Sequence, residues 1–286
     1  MAGHRGSQRV TVRTRSDLPM DAQLLMLCLL TGLINLIGTL AYAARIAGVR
    51  TRRIAMSFAL FNILVLVSRT SNSFLGPFLA KRIELRIADG GGDALLGDFR
   101  LVLLSAAIAV ALGIVLVPTG QRLFVSAIGY FQRNRSTGRM ILRSASPAGL
   151  RTVRQSLSVP RLEQLRELAR PRGVGWGVLL ANCMAQALIT VGVLASLYAG
   201  YLNPEFRVTA SQLSAVVNGF ATILLFALID PQLSVMTDDV VEGRIAEPLF
   251  RRTVVWISLS RLAGTLLAQV LLVPSAALIA IIANHV

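Results

Sequence analysis

Arg69 lies inside an apolar run, residues 54–80, that is long enough to cross a bilayer as a helix. A charge at that depth costs roughly 3 kcal/mol on the most lenient insertion scales. Chains keep such a charge where it meets a partner, a wet cavity or an anionic substrate. Asn62 lies seven residues before Arg69, and Asn72 and Ser73 lie three and four after it. Those offsets return to one face of a 3.6-residue helix. The spacing predicts an inward-facing polar lane through lipid, with chemistry suited to an oxyanion.

Three further groups bear on such chemistry. Arg45, Arg50, Arg52 and Arg53 follow the first apolar run. Guanidinium forks match phosphate and carboxylate oxygens bidentately. Asp230 and Arg261 are expected at similar depths on neighbouring spans of opposite direction, where pairing would lower the cost of both charges. Such a pair serves either as a structural tie or as a gate, and snorkelling of Arg261 to the headgroups is the alternative. Pro231 lacks an N–H and predicts a break in the helix beside Asp230. Asp238, Asp239 and Glu242 form an acidic cluster just beyond it. It reads as a solvated loop or helix cap, or alternatively as a site for ion coupling.

Other chemistries are excluded or disfavoured. There is no G-x-x-x-x-G-K-[ST] and Lys81 is the sole lysine, so no P-loop is present and ATP is not consumed through this chain. His4 and His285 stand at opposite ends, which removes histidine-based metal sites, triads and proton relays. Cys28 and Cys183 lie in apolar spans and read as small buried residues, not as a disulfide or metal site. No cofactor or metal is expected. The net charge of +15 is read as fixing topology and touching anionic membrane lipids, not as binding nucleic acid.

The elements that position these groups follow from hydropathy. The 286 residues are 54% hydrophobic and only 15% charged, with mean hydropathy +0.65. The expected fold is all-α and polytopic. Six transmembrane helices are predicted over residues 23–44, 54–80, 99–118, 174–199, 213–236 and 254–282. Residues 1–22 form a polar, basic tail and 23–286 a single transmembrane domain. Pro118, Pro204 and Pro274 are placed at or near helix ends. Segment 119–173 carries eleven Arg and segment 45–53 four, so both are placed inside by the positive-inside rule. Both termini then fall outside. Arg5, Arg9, Arg13 and Arg15 in the tail conflict with that placement, which suggests either a later start at Met20 or Met26 or a tail outvoted by the larger inner charge. Within the inner loop, residues 121–131 are amphipathic. Ser158 and Pro160 precede Leu162, Leu165 and Leu168 at helical spacing. Interfacial helices are expected at both places, with residues 133–158 mobile between them.

Polar stripes recur in other spans: Asn35, Thr39 and Tyr42; Asn182, Gln186 and Thr190; Ser258, Arg261, Thr265 and Gln269. Interhelical hydrogen bonding explains any one of them. Gly173 and Gly177 give a weak G-x-x-x-G packing signal.

The run from Gly38 to Arg53, then Phe61-Asn62-Ile63 and Leu66 to Asn72, resembles the Amj family of bacterial lipid II flippases. Ile229-Asp230-Pro231, Ser234 to Asp239 and Glu242-Gly243-Arg244 are similar to that family too. The likeness runs from about residue 24 onward and is most specific over residues 41–72; the tail looks like an addition to it. The resemblance implies export of the lipid-linked peptidoglycan precursor from the inner to the outer leaflet of the bacterial cytoplasmic membrane, a role shared with the larger MurJ flippases but not their fold. It transfers no catalytic residue, so no enzyme activity is expected. On this reading Arg45 and Arg50, Arg52 and Arg53 recruit headgroups. Arg69, Asn62 and Asn72 hold the diphosphate, and Asp230 and Arg261 gate. A secondary transporter of another anionic solute or lipid is one rival. An intramembrane enzyme acting on polyprenyl diphosphates, with Ser68, Ser71 or Asp230 as its reacting group, is another. Oligomeric state and energy source are not encoded legibly.

Overall fold

The computed structural model describes residues 21–88, 92–134, 136, 138, 142, 146–158 and 173–285. Every regular element among them is helical. In chain order they are α1 (Ala22–Thr51), α2 (Ile54–Ala88), α3 (Gly92–Asn134), α4 (Pro147–Ser156), α5 (Trp176–Leu202), α6 (Arg207–Leu224), a π turn (Leu225–Ile229), α7 (Asp230–Val241) and α8 (Glu247–Ala283). Six helices are long and apolar enough to cross a membrane, with α6, the π turn and α7 forming one continuous rod. Five of the six predicted spans fall within one of these helices, and the span 174–199 begins two residues before α5.

The helices are longer than the apolar windows. The amphipathic residues 121–131 are not a separate interfacial helix but the continuation of α3 to Asn134. Pro118 and Pro274 lie inside α3 and α8 rather than at their ends, and Pro77 lies inside α2. A proline within a spanning helix is tolerated where neighbouring groups satisfy the freed carbonyl. Pro204 does fall in the turn between α5 and α6. Within the stretch expected to be mobile, α4 forms because the Ser146 hydroxyl accepts from the Gly149 N–H and Pro147 opens the first turn. The helix expected after Ser158 and the basic tail both lie outside the described residues.

Lipid offers no hydrophobic drive between spans, so close backbone approach must supply the packing. The α1–α3 seam sets Thr39 against Gly113 and Ala43 against Gly120; a Cβ on Gly113 would come 2.7 Å from that of Thr39. At the α5–α8 seam, a Cβ on Gly264 would meet the Cys183 carbonyl, with the Gln186 Cβ 2.9 Å away. The weak signal at Gly173 and Gly177 is not used this way. Gly173 takes φ 97° in a turn, and Gly177 faces open space.

The two ends of the bundle differ. At one end Asp21 caps α1 through the Leu24 N–H at 2.8 Å and also binds Arg82 of α2. Arg82 donates to Asp98 of α3 at 2.9 Å, and Arg86 joins the same carboxylate at 3.0 Å. Three helices are thereby tied by charge. At the other end lie Arg50, Arg52 and Arg53, the C-terminal end of α3 and the start of α8; Arg50 stands 3.5 Å from Glu247.

Partial burial pushes the Asp21 carboxyl up. The hydrogen bonds from Arg82 and Leu24, with the charge of Arg86, outweigh that and hold it below its usual range. A lowered folded-state value adds stability that is present above about pH 4 and is lost as pH falls through the folded-state value. Acidification to pH 3 should therefore lower the melting temperature of wild type more than that of Asp21→Asn. Parallel curves would contradict this contribution.

Candidate functional site

The π turn places Asp230. Because Pro231 offers no N–H, the ladder shifts register, and the Asp230 N–H reaches back five residues to the Leu225 carbonyl. The helix is thus not broken beside Asp230; it takes one wide turn and continues as α7. That turn presents the carboxylate to α1, where Arg45 donates to Oδ1 at 2.9 Å. Arg45 is 12% exposed at its side chain and Asp230 39%. The Phe58 ring lies 5.1 Å from the Arg45 guanidinium carbon and adds a cation–π contact. Arg45 is therefore an intramembrane ion-pair residue, not solely part of the basic loop.

The expected Asp230–Arg261 pair is not formed, since Arg45 takes the carboxylate. Arg261 turns instead toward α1. Its guanidinium packs on Gly38, where a Cβ would come 2.6 Å from Nη2, and lies within hydrogen-bonding reach of the Tyr42 phenol. Its Nε is buried without a hydrogen-bond partner. Among the described residues no carboxylate forms a salt bridge with Arg261.

Arg69 is exposed, as are Asn62, Asn72 and Ser73. The polar stripe is real, but it does not face inward as the sequence suggests. The buried residues of α2 are Ser57, Leu60, Ser71, Leu79, Arg82 and Ile83, which turn the opposite side of the helix to the bundle. Helix α2 packs on α1, α3 and α5, and its backbone makes no contact with α6, α7 or α8. The middle of α2 is thus a bare margin of the bundle.

Arg52 ends α1 in the left-handed conformation, φ 53°, and turns the chain into α2. Arg52 and Arg53 border a recess of about 800 Å³ whose other walls include Met56, Phe131 and Gln132. In the acidic cluster, Asp239 and Glu242 are both engaged by Arg244. The clasp closes the end of α7 and does not cap the next helix, whose N-cap is Ala246 with no side-chain bond, and the Asp238 carbonyl accepts from the Glu242 N–H. No group of three metal-ligating side chains occurs among the described residues.

The remaining stripes make ordinary helix contacts. Asn182 donates to the Ile257 carbonyl and to Ser260, and Gln269 donates to the Arg100 carbonyl. The stripe Asn35, Thr39 bonds along its own helix, through the Asn35–Thr31 and Thr39–Asn35 contacts. Sequence reasoning missed Gly38 as the floor beneath Arg261, and it missed the Asp21, Arg82, Asp98, Arg86 network. The four-residue spacing of Arg82 and Arg86 was its available signal.

Residues 30–283 match the family described as Amj: Alternate to MurJ. A curated relative, Lipid II flippase Amj of Bacillus subtilis (strain 168), is 36% identical over 252 residues, 87% of this chain and 92% of the relative. No solved structure matches the chain. The matched region takes in five spanning helices whole and α1 from its ninth residue, with each of the charges placed above in α1, α2, α7 and α8, and the chain belongs to the Amj family.

Proposed function

We propose that this multi-pass protein of the bacterial cytoplasmic membrane is a lipid II flippase, moving the lipid-linked peptidoglycan precursor from the inner to the outer leaflet. The observation that carries the reading is the 36% identity to a lipid II flippase across nearly the whole of both chains. The chemistry suits it. Lipid II joins a diphosphate and a carboxylate-bearing muropeptide to a long apolar tail, so a carrier must pass the head along polar groups while the tail stays in lipid.

The basic end is the inner side on the positive-inside rule. There Arg50, Arg52 and Arg53 recruit the anionic head, and the recess beside Arg52 and Arg53 gives it room. Anionic phospholipids compete for the same arginines. Arg69, with Asn62 and Asn72, lines the exposed face of α2, where a head can move while its tail remains in the bilayer. The Arg45–Asp230 pair acts as the gate: an incoming phosphate that takes Arg45 releases α1 from α7.

Complementation tests this reading in cells. Expressed in a bacterium whose essential lipid II flippase can be switched off, wild type should restore growth. Arg69→Ala should fail to restore it while reaching the membrane at normal level. Growth with both would remove Arg69 from the path, and failure of well-inserted wild type would count against the flippase reading. Saturable uptake of a soluble anion would then favour the secondary transporter.

A further inference from the structure

The charges around Tyr42 do not balance among the described residues. Three ionisable groups lie on or against this stretch of α1: Arg45, Asp230 bound to it, and Arg261 packed on Gly38. Two are cationic and one is anionic, and Asp230 is already committed to Arg45. Among the described residues one positive charge in the spanning helices, that of Arg261, has no carboxylate partner.

Snorkelling does not account for it. Trp176 and Trp256 meet edge to face, 6.2 Å between centroids, and Trp176 is 63% exposed. Paired tryptophans of this kind mark the headgroup level. Arg261 lies five residues, about 7.5 Å, deeper along α8 than Trp256. Its guanidinium rests on Gly38, about 20 Å of helix from the end of α1 at Thr51. Gly38 is also what lets the guanidinium lie flat against α1, because any side chain there would occupy the space of Nη2.

We propose that Arg261, held by Tyr42 and by the slot at Gly38, binds one phosphate-type anion within the membrane, the diphosphate of a polyprenyl-linked substrate. The assignment rests on the flippase reading for the identity of the substrate, but not for the existence of the site. Asp230, 39% exposed, gives the way in from the bundle surface. The anion neutralises Arg261 directly and draws Arg45 away from Asp230, so loading the site and opening the α1–α7 tie are one event.

The test uses the purified full chain in nanodiscs, titrated calorimetrically with farnesyl diphosphate, farnesyl monophosphate and inorganic pyrophosphate. Wild type should bind farnesyl diphosphate; Arg261→Gln should weaken this at least about 30-fold, with Arg261→Lys between them. Gly38→Ala keeps every charge and displaces only the guanidinium, and should weaken binding several-fold with an unchanged melting temperature. Arg151→Gln, on the exposed face of α4, should bind as wild type. Equal affinity for inorganic pyrophosphate would identify a free-anion site and overturn the lipid assignment. Wild-type affinity in a folded Gly38→Ala or Arg261→Gln protein would overturn the site itself, as would no binding by wild type. Complementation separates the two readings. Rescue by Arg261→Gln would keep the flippase and discard the site, whereas Arg261-dependent binding without rescue by wild type would keep the site and discard the flippase.

Discussion

Asp230→Ala should cut lipid II transport by at least about tenfold and destabilise the protein on the order of 2 kcal/mol. The substitution leaves Arg45, 12% exposed, without its only salt-bridge partner among the described residues. Breaking a fully buried pair from one side costs roughly 3–5 kcal/mol. The figure is smaller here because Asp230 is 39% exposed and Phe58 still covers the guanidinium. Removing both charges should be milder than removing one. Arg45→Ala/Asp230→Ala should regain most of the lost thermal stability but not transport, because a gate without charges cannot respond to a phosphate. Thermal melts of the single and double variants, with transport measured on each, complete the cycle. Additive losses of stability would mean that the two groups do not act as a pair, and full transport by the double variant would remove the gate.

Arg82→Ala should produce the largest loss of stability of any single arginine change, about 3 kcal/mol, with transport lost only as the folded fraction falls. Arg82 is 4% exposed and Asp98 6% exposed, and Arg82 ties that carboxylate and Asp21 to α2. Arg86 holds Asp98 as well, but its side chain is 28% exposed, so Arg86→Ala should cost about 1 kcal/mol. The lysine ammonium puts its donors on one nitrogen and cannot span Asp98 and Asp21 as Nε and Nη1 of Arg82 do, so Arg82→Lys should recover little. Melting temperatures in detergent should rank wild type above Arg86→Ala and Arg86→Ala above Arg82→Ala. Equal melting of the two alanine variants would contradict the assignment of Arg82 as the central tie.

The six spans were legible because each apolar window meets or exceeds the roughly 20 residues a bilayer requires, and no tertiary information is needed to see that. The face that each helix turns inward was not legible. Helical periodicity groups Arg69 with Asn62 and Asn72, but rotation about the axis of α2 is set by where Ser57, Leu60 and Leu79 find partners. Seen from sequence, Asp230 could meet any arginine at its depth. The choice of Arg45 over Arg261 depends on the π turn, whose register shift follows from Pro231 but whose direction does not. Arg45 also looked like the first residue of a basic loop, because the apolar window closed before α1 did. For the same reason Arg82 and Asp98 fall outside the apolar windows 54–80 and 99–118, when α2 and α3 extend far enough to bury them. Gly264 carried no visible signal, since a packing glycine is defined by the Cys183 carbonyl across the seam and not by its own neighbours.

Translocation of lipid II in proteoliposomes bears most directly on the central claim. Fluorescent lipid II would be confined to the inner leaflet of vesicles bearing the purified chain, and its arrival outside followed by quenching, with a membrane potential or a pH gradient imposed in either direction. The account predicts arrival faster than in protein-free vesicles under at least one of these conditions, with the excess rate cut at least about tenfold by Asp230→Ala. Rates equal to those of protein-free vesicles under every gradient, from folded and inserted protein, would contradict it.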